Sequence, residues 1–489
     1  MQVRNARSQS QTKRFLPFTV LGLSGMAVSS SLFAAGFALR NHSASGVGTS
    51  LASDTVNTFD ASGILANPAV MSAFKGNSIS LNINYTDANI KAKNGTLTPG
   101  PQLRAGGIPG YPVVGPGSES EVSEPVVIPS IYNIYQVSEE VHVGWSFNVP
   151  YGTNTEYDNN WAGRYHGLKT ELQAYDVGIH GSYKITDMIA AGISLSWQQA
   201  KGELSSAADL GAVNYAIVGA QARAGAIPPA QVPAALQAAA AGIGTNDAIG
   251  TYKGDSTAFA YGVGFLIKPW EGSRLGLSYK GQVKHEAKGD FKWGPTTAQA
   301  ATTLAILSSG AVPGQNAGRF RNSDDAKLDL TLPPVASIGY AHDIVDFTVY
   351  ANVTHTGWST LKELNPEYNG QEVVTQLRWN DSVYYAIGAD YRFSPEWTIR
   401  YGVGRDQSVT DTDHRTPRTP DGDRTAVSVG GSYKMGAFDF SAAFQQLFLE
   451  DTESQLNASA YNDNNGRGTF KAKYEISPSI AVVSAGYSF

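Results

Sequence analysis

From Asn77 to Phe489 apolar and polar residues alternate, segment after segment, with a period of two. In 77–91, Ile79, Leu81, Ile83 and Tyr85 share one face, and Ser78, Ser80, Asn82 and Asn84 share the other. In 141–150, Val141, Val143, Trp145 and Phe147 oppose His142, Gly144, Ser146 and Asn148. The last segment carries Ala481, Val483, Ala485, Tyr487 and Phe489 on one side. This periodicity predicts β-strands. Gly144, in the middle of the third of them, weakens the ladder there and permits a kink or bulge.

The connections have a rhythm of their own. Short turns at 137–140, 184–187, 268–273, 342–346, 393–396 and 435–437 alternate with long segments at 94–125, 151–167, 204–254, 293–321, 358–379, 408–424 and 451–467. Fourteen strands joined this way place every short turn at one end and every long loop at the other. Apolar residues facing out and polar residues facing a lumen are what a transmembrane barrel requires. The expected fold is therefore all-β: a 14-stranded antiparallel barrel over 77–489. Two long loops depart from loop composition. Leu210–Ala226 with Val232–Ile243, and Ala298–Ser308, are rich in Ala and poor in charge, which predicts helices in the loops.

The stretch 35–76 follows neither pattern. Gly36, Gly46, Gly48 and Gly63 punctuate it, and Pro68 holds Asn67 out of the α region. Its apolar residues, among them Phe37, Leu39, Leu51, Ile64, Leu65 and Met71, nonetheless need burial. A compact irregular segment followed only by strands predicts a hatch, or plug, enclosed by the barrel. Ahead of it, Arg4, Arg7, Lys13 and Arg14 precede an apolar run from Phe15 to Val28 that ends in small residues. That is a secretory signal over 1–34, with cleavage expected after Ala34.

Composition narrows the class. The chain has no cysteine, so neither disulfides nor thiolate–metal sites hold it. Removing the four basic residues of the leader takes the formal net charge from −6 to −10, far from the basic surplus of a nucleic-acid partner. The eight histidines are scattered singly and no Gly-x-Ser-x-Gly elbow occurs, so a lipolytic enzyme is disfavoured and no catalytic residue, cofactor or metal site is expected. Asp411, Asp413, Asp421 and Asp423 alternate with Arg415, Arg418 and Arg424, which predicts a solvated ion-pair cluster in preference to a Ca²⁺ loop. A plugged barrel also argues against a general porin.

Several segments, in order, resemble the FadL family of outer-membrane transporters for long-chain fatty acids and hydrocarbons. They are Ala35-Gly36-Phe37, Asn67-Pro68-Ala69, Asn148-Val149-Pro150-Tyr151-Gly152 and Trp161-Ala162-Gly163-Arg164-Tyr165. They continue with Arg274–Tyr279, Lys284–Asp290, Trp358-Ser359, Trp379–Ser382, Ala386–Ala389, Tyr391, Arg415-Thr416-Pro417 and Pro420–Arg424. The resemblance implies a monomeric barrel in the Gram-negative outer membrane, in contact with its lipid. Terminal Phe489 similarly implies delivery by the barrel assembly machinery.

It also implies a mechanism: capture by the loops, rearrangement of the hatch and lateral exit beside a kinked third strand. The substrate implied is a long-chain fatty acid, with aromatic hydrocarbons as the alternative. Lys201, Lys362 and Arg378 are the candidates for a carboxylate head group, with Glu203 as a competing partner of Lys201. Asn67, Pro68, Ala69 and Gly144 are the expected gate, with Asn67 satisfying backbone groups at the Gly144 gap.

Overall fold

A computed structural model describes residues 36–100, 117–123, 125–312, 315–458 and 464–489; the proposed leader lies outside them. The wall is a closed antiparallel barrel of 14 strands. Its first half comprises β1 (Ser78–Thr98), β2 (Ser120–Val122 and Val126–Gln136), β3 (Val141–Glu156), β4 (Lys169–Lys184), β5 (Ile189–Asp209), β6 (Asp247–Ile267) and β7 (Ser273–Lys280 and Val283–Pro295). The second half comprises β8 (Ser323–Leu332 and Val335–Ile344), β9 (Phe347–Thr356), β10 (Ser382–Arg392), β11 (Trp397–Asp406), β12 (Arg424–Met435), β13 (Phe438–Leu449 and Thr452–Leu456) and β14 (Thr469–Ser488). Each strand pairs with the next, and β1 closes the ring on β14 from Ser78↔Ser488 to Thr98↔Thr469.

Alternation sets which face is which. On β1, Leu81, Ile83 and Tyr85 stand exposed on the outer face while Ser80, Asn82 and Asn84 are buried inside. At the end with the short turns, outward rings form a belt: Phe347 meets Tyr391 at 4.6 Å, Trp397 meets Tyr433 at 4.7 Å and Phe438 meets Tyr487 at 4.7 Å. Phe489 joins it through Tyr487 at 5.3 Å. Rings at that level suit the membrane interface, where one side is apolar and the other wet.

Several strands run further than their alternation predicts. β3 reaches Glu156, not Pro150; β5 reaches Asp209, and β6 starts at Asp247. Beyond the membrane the outer face no longer has to be apolar, so the pattern fades while the ladder continues. Cross-strand charges replace lipid contacts there, as in Glu203 with Lys253 at 3.1 Å and with Lys169 at 3.5 Å. The loop helices occur where composition predicts them: α3 (Leu210–Arg223), α4 (Val232–Ala240) and α5 (Ala298–Ser309), after two short hatch helices, α1 (Ala44–Gly48) and α2 (Gly63–Ala66).

The segment before β1 is packed inside the lumen. Val47, Ala52, Ile64, Ala69, Val70 and Met71 are fully buried. Wall glycines make room for it: a Cβ on Gly402 would strike Thr49, one on Gly276 would strike Thr55, and one on Gly192 would strike Pro68 and Ala69. The hatch caps itself locally, with Ser43 accepting from Gly46 N at 3.2 Å and Asn67 accepting from Ala69 N at 3.0 Å. Short polar side chains that bond nearby backbone favour such turns over regular structure.

Candidate functional site

At the loop end an open groove of about 1080 Å³ lies between α3, the tops of β5–β7 and the loop after β9. Its apolar side is aromatic. Phe291 stacks on Tyr368 at 3.8 Å with rings 4° from parallel, and Trp293 meets Phe320 at 6.0 Å. The helices α3 and α5 pack there through Leu210, Ala300 and Leu307, which covers one side of each, while Ala301, Ala305 and Ile306 of α5 stay exposed. Arg319, Arg378, Arg418 and Arg467 line the same groove. Flat rings beside planar guanidinium groups make a surface suited to an amphipathic molecule with an acidic head.

Below it is a smaller cavity of about 50 Å³, walled by Leu172, Ala200, Leu204, Leu328, Leu330, Leu377 and Trp379. Phe37 of the hatch fills the rest of this space. Its ring meets Trp358 at 4.8 Å, Trp379 at 5.5 Å and Tyr151 at 6.2 Å. The floor is polar: His285 bonds Ser256 Oγ at 2.9 Å and Gln198 Oε1 at 3.1 Å. Gln198 in turn donates to Asp176 at 3.1 Å.

The wall beside this cavity is unzipped. β2 and β3 pair only from Ile131↔Phe147 to Gln136↔His142, and the β3–β4 register shifts between Asn148 and Tyr151. Pro150, which has no N–H, sits in the shift. The start of the hatch takes over as a partner here. Leu39 N donates to Pro150 O at 2.8 Å, and Gly152 N donates to Phe37 O at 3.0 Å. Behind the gap Leu39 packs with Val126, Ile128 and Val149, all buried, so apolar side chains fill it.

The predicted site residues scatter. Arg378 lines the outer groove. Lys201 contributes to the rim of the inner cavity, but it shares the outer face with Trp197 and Glu203, because Ala200 is the inward residue of β5 there. Glu203 is taken by Lys169 and Lys253. Lys362 is exposed, and its carbonyl accepts from Leu377 N and Arg378 N, both at 2.8 Å.

Asn67 does not face Gly144. It donates to Thr55 O at 2.9 Å and to Phe265 O at 3.0 Å, and a Cβ on Gly264 would strike its amide. Pro68 and Ala69 lie against Gly192 of β5. Gly144 pairs regularly with Ile134 and His180 and lies under Met71 and Ile64. The missing side chain at 144 therefore serves close packing, and the kink occurs at 148–151.

The acidic and basic residues of 411–424 are a solvated cluster only in part, since Asp411 and Asp413 are exposed but Asp421 and the arginines are not. Asp421, Arg415, Arg418 and Arg424 are buried. Arg415 donates to Asp421 O and Glu453 O, both at 2.6 Å, and Arg418 to Lys169 O at 3.0 Å, while Asp421 pairs with Arg424. Planar guanidinium forks can satisfy backbone carbonyls as well as carboxylates, which makes their burial tolerable. His166, in the loop after β3, donates to Gly468 O at 3.0 Å, and burial holds its pKa down to about 3, so it stays neutral. Phe37, Trp358 and Trp379 lie in segments that carry the resemblance, but nothing in the sequence shows that they pack together, and Arg319 of the groove lies in none of those segments.

The family profile described as outer membrane protein transport protein (OMPP1/FadL/TodX) matches residues 25–489. A 47 kDa outer membrane protein of Pasteurella multocida is 29% identical over 432 residues, 87% of this chain and 89% of the relative. The long-chain fatty acid transport protein of Escherichia coli CFT073 is 25% identical over 420 residues, 85% of this chain and 87% of the relative. Among solved structures, a Pseudomonas aeruginosa FadL homologue superposes with a TM-score of 0.80 at 24% identity, covering 93% of this chain and all of that one. The Pseudomonas putida toluene transporter TodX superposes at 0.61 and 16% identity, covering 93% and 100%.

Proposed function

The chain belongs to the OMPP1/FadL/TodX family of outer-membrane transport proteins, and on that premise we propose that it imports long-chain fatty acids passively. The arginine-lined aromatic groove captures the acid. The chain of the acid then moves into the apolar cavity as Phe37 withdraws, and it leaves sideways through the β2–β3 gap. The hatch residues Asn67, Pro68 and Ala69 act as the attachment that holds the resting position, with Gly144 a packing point for Met71. Lateral exit suits such a cargo, since each methylene gains roughly 0.8 kcal/mol by staying out of water.

The observation that supports this most directly is the unzipped β2–β3 seam, occupied by the start of the hatch and backed by apolar side chains. A second reading, import of aromatic hydrocarbons, draws support from the stacked rings Phe291 and Tyr368 in the groove.

Arg378 separates the two. Arg378→Ala should weaken binding of a long-chain fatty acid by about tenfold or more, the loss of a charge-assisted hydrogen bond worth roughly 1.5–3 kcal/mol, and leave its methyl ester nearly unaffected. Titration of the detergent-solubilised protein with both ligands reads this out. Equal losses for acid and ester, or binding of toluene alone, would favour the aromatic reading.

A further inference from the structure

The wall has a second break, between β6 and β7, three strands on from β3. The ladder there stops at Gly262↔Lys280 and resumes at Asp255↔Lys288. β7 carries one residue more than β6 across the interval, and one backbone bond crosses it, Gly281 N to Tyr261 O at 3.0 Å. A side-chain pair, Ser256 with His285 at 2.9 Å, spans its upper part. β8 is interrupted at the same place by Pro333 and Pro334, so this side of the wall lacks two further donors. The ring of Tyr261 lies over Gly281, where a Cβ would strike it.

A cavity of about 170 Å³ lies immediately behind this seam, lined there by Ala260, Tyr261, Lys280, Gly281 and Val283. The Lys280 side chain enters it, and among the described residues no carboxylate forms an ion pair with its ammonium. Asp54 of the hatch and Asp176 of β4 share the cavity. Asp176 is already engaged by Ser196 at 2.7 Å, Gln198 at 3.1 Å and Asn148 at 3.4 Å. Asp54 and Asp176 act on the ammonium only across the cavity, outside ion-pair distance, so a buried cation placed in this way gains from an anion that contacts it directly.

We propose that this cavity is a second binding site, for an anionic amphiphile whose carboxylate meets Lys280 and whose hydrocarbon tail passes out through the β6–β7 seam beneath Tyr261. Size sets the posture. A cavity of about 150 Å³ holds one benzene, so this one accepts a head group and the first few carbons but not a long chain. Besides the side of Leu39, Pro150 and Tyr151, which faces the β2–β3 gap, the cavity offers the tail an apolar way out past Ala260, Tyr261 and Val283. The seam thus serves as a lateral port distinct from the β2–β3 gap. This inference rests on the reading of the protein as a carrier of hydrophobic acids.

The test uses the full barrel in detergent and a long-chain fatty acid bearing a photoreactive diazirine near its methyl end, with adducts mapped by mass spectrometry. Adducts on 256–261 and 281–287 are expected. They should fall at least tenfold in Lys280→Gln, return in Lys280→Arg, and increase in Tyr261→Ala, with each variant first shown to be heat-modifiable. The methyl ester should label this seam weakly in every variant. Adducts confined to the outer groove and the β2–β3 gap would overturn the second site and leave the transport reading standing. Absence of labelling and of binding anywhere would overturn both.

Discussion

Asn67 uses its side chain in two directions at once. Its Nδ2 donates across the lumen to Phe265 O of the wall and within the hatch to Thr55 O, while its Oδ1 caps Ala69 N. Asn67→Ala would leave buried carbonyls without donors, at a cost of roughly 1–3 kcal/mol in the docking of the hatch. Hydrogen exchange at the amides of residues 67 and 69–71 should therefore quicken by about tenfold or more. Gly264→Ala places a methyl group against the same amide, so the double variant should show less than the sum of the two effects. Additive effects would mean that Asn67 holds the hatch through some other contact. The extended backbone of Asn67 was legible from Pro68. Its partner was not, because a contact across 198 residues depends on how the whole ring closes.

At the scale of the element, β3 shows how a correct strand can be assigned the wrong bend. Glycine in mid-strand suggests a kink, but Gly144 keeps its register, and the break comes at Asn148–Tyr151. Two causes produce a strand glycine, bending and close approach, and periodicity does not separate them. The loop helices were easier, because long charge-poor Ala runs have few other stable outcomes. Nothing local announced that Phe37–Leu39 would complete β3, although Ala38↔Tyr151 is a bridge in the folded chain. Phe37→Ala empties the box formed by Trp358, Trp379 and Tyr151, a change that costs about 3–5 kcal/mol in well-packed cores. Protection of the Leu39 and Gly152 amides should fall by about a hundredfold or more, and fatty acid uptake by whole cells should rise. Unchanged exchange would show that Phe37 is not what holds this strand in the gap.

The whole molecule rests on a fit between two incompatible requirements. Strands favour β-branched and aromatic residues, yet wall positions that face the hatch are glycine: Gly388 and Gly402 against Thr49, Gly430 against Gly48, and Gly276 and Gly339 against Thr55. The hatch is strained at the same contact, with Ser50 and Leu51 both at positive φ, +49° and +61°. Barrel bonds hold that turn in place, Tyr384 Oη to Ser50 O at 2.7 Å and Ser50 Oγ with Ser428 Oγ at 2.7 Å. The wall is therefore locally weaker than it could be, and the plug is locally less stable than it would be alone. Each compensates for the other. Gly402→Val should separate them: the valine suits strand β11 but occupies the space of the Thr49 backbone. The variant should still run as a heat-modifiable barrel of at least wild-type stability. In planar bilayers it should pass ions in steps that the wild-type protein lacks, because a hatch displaced at Thr49 no longer fills the lumen. A variant that fails to form a barrel would show that the hatch helps assemble the wall. One that folds and stays closed would show that the seal lies elsewhere, at the Asn67–Pro68 contact with β5 and β6.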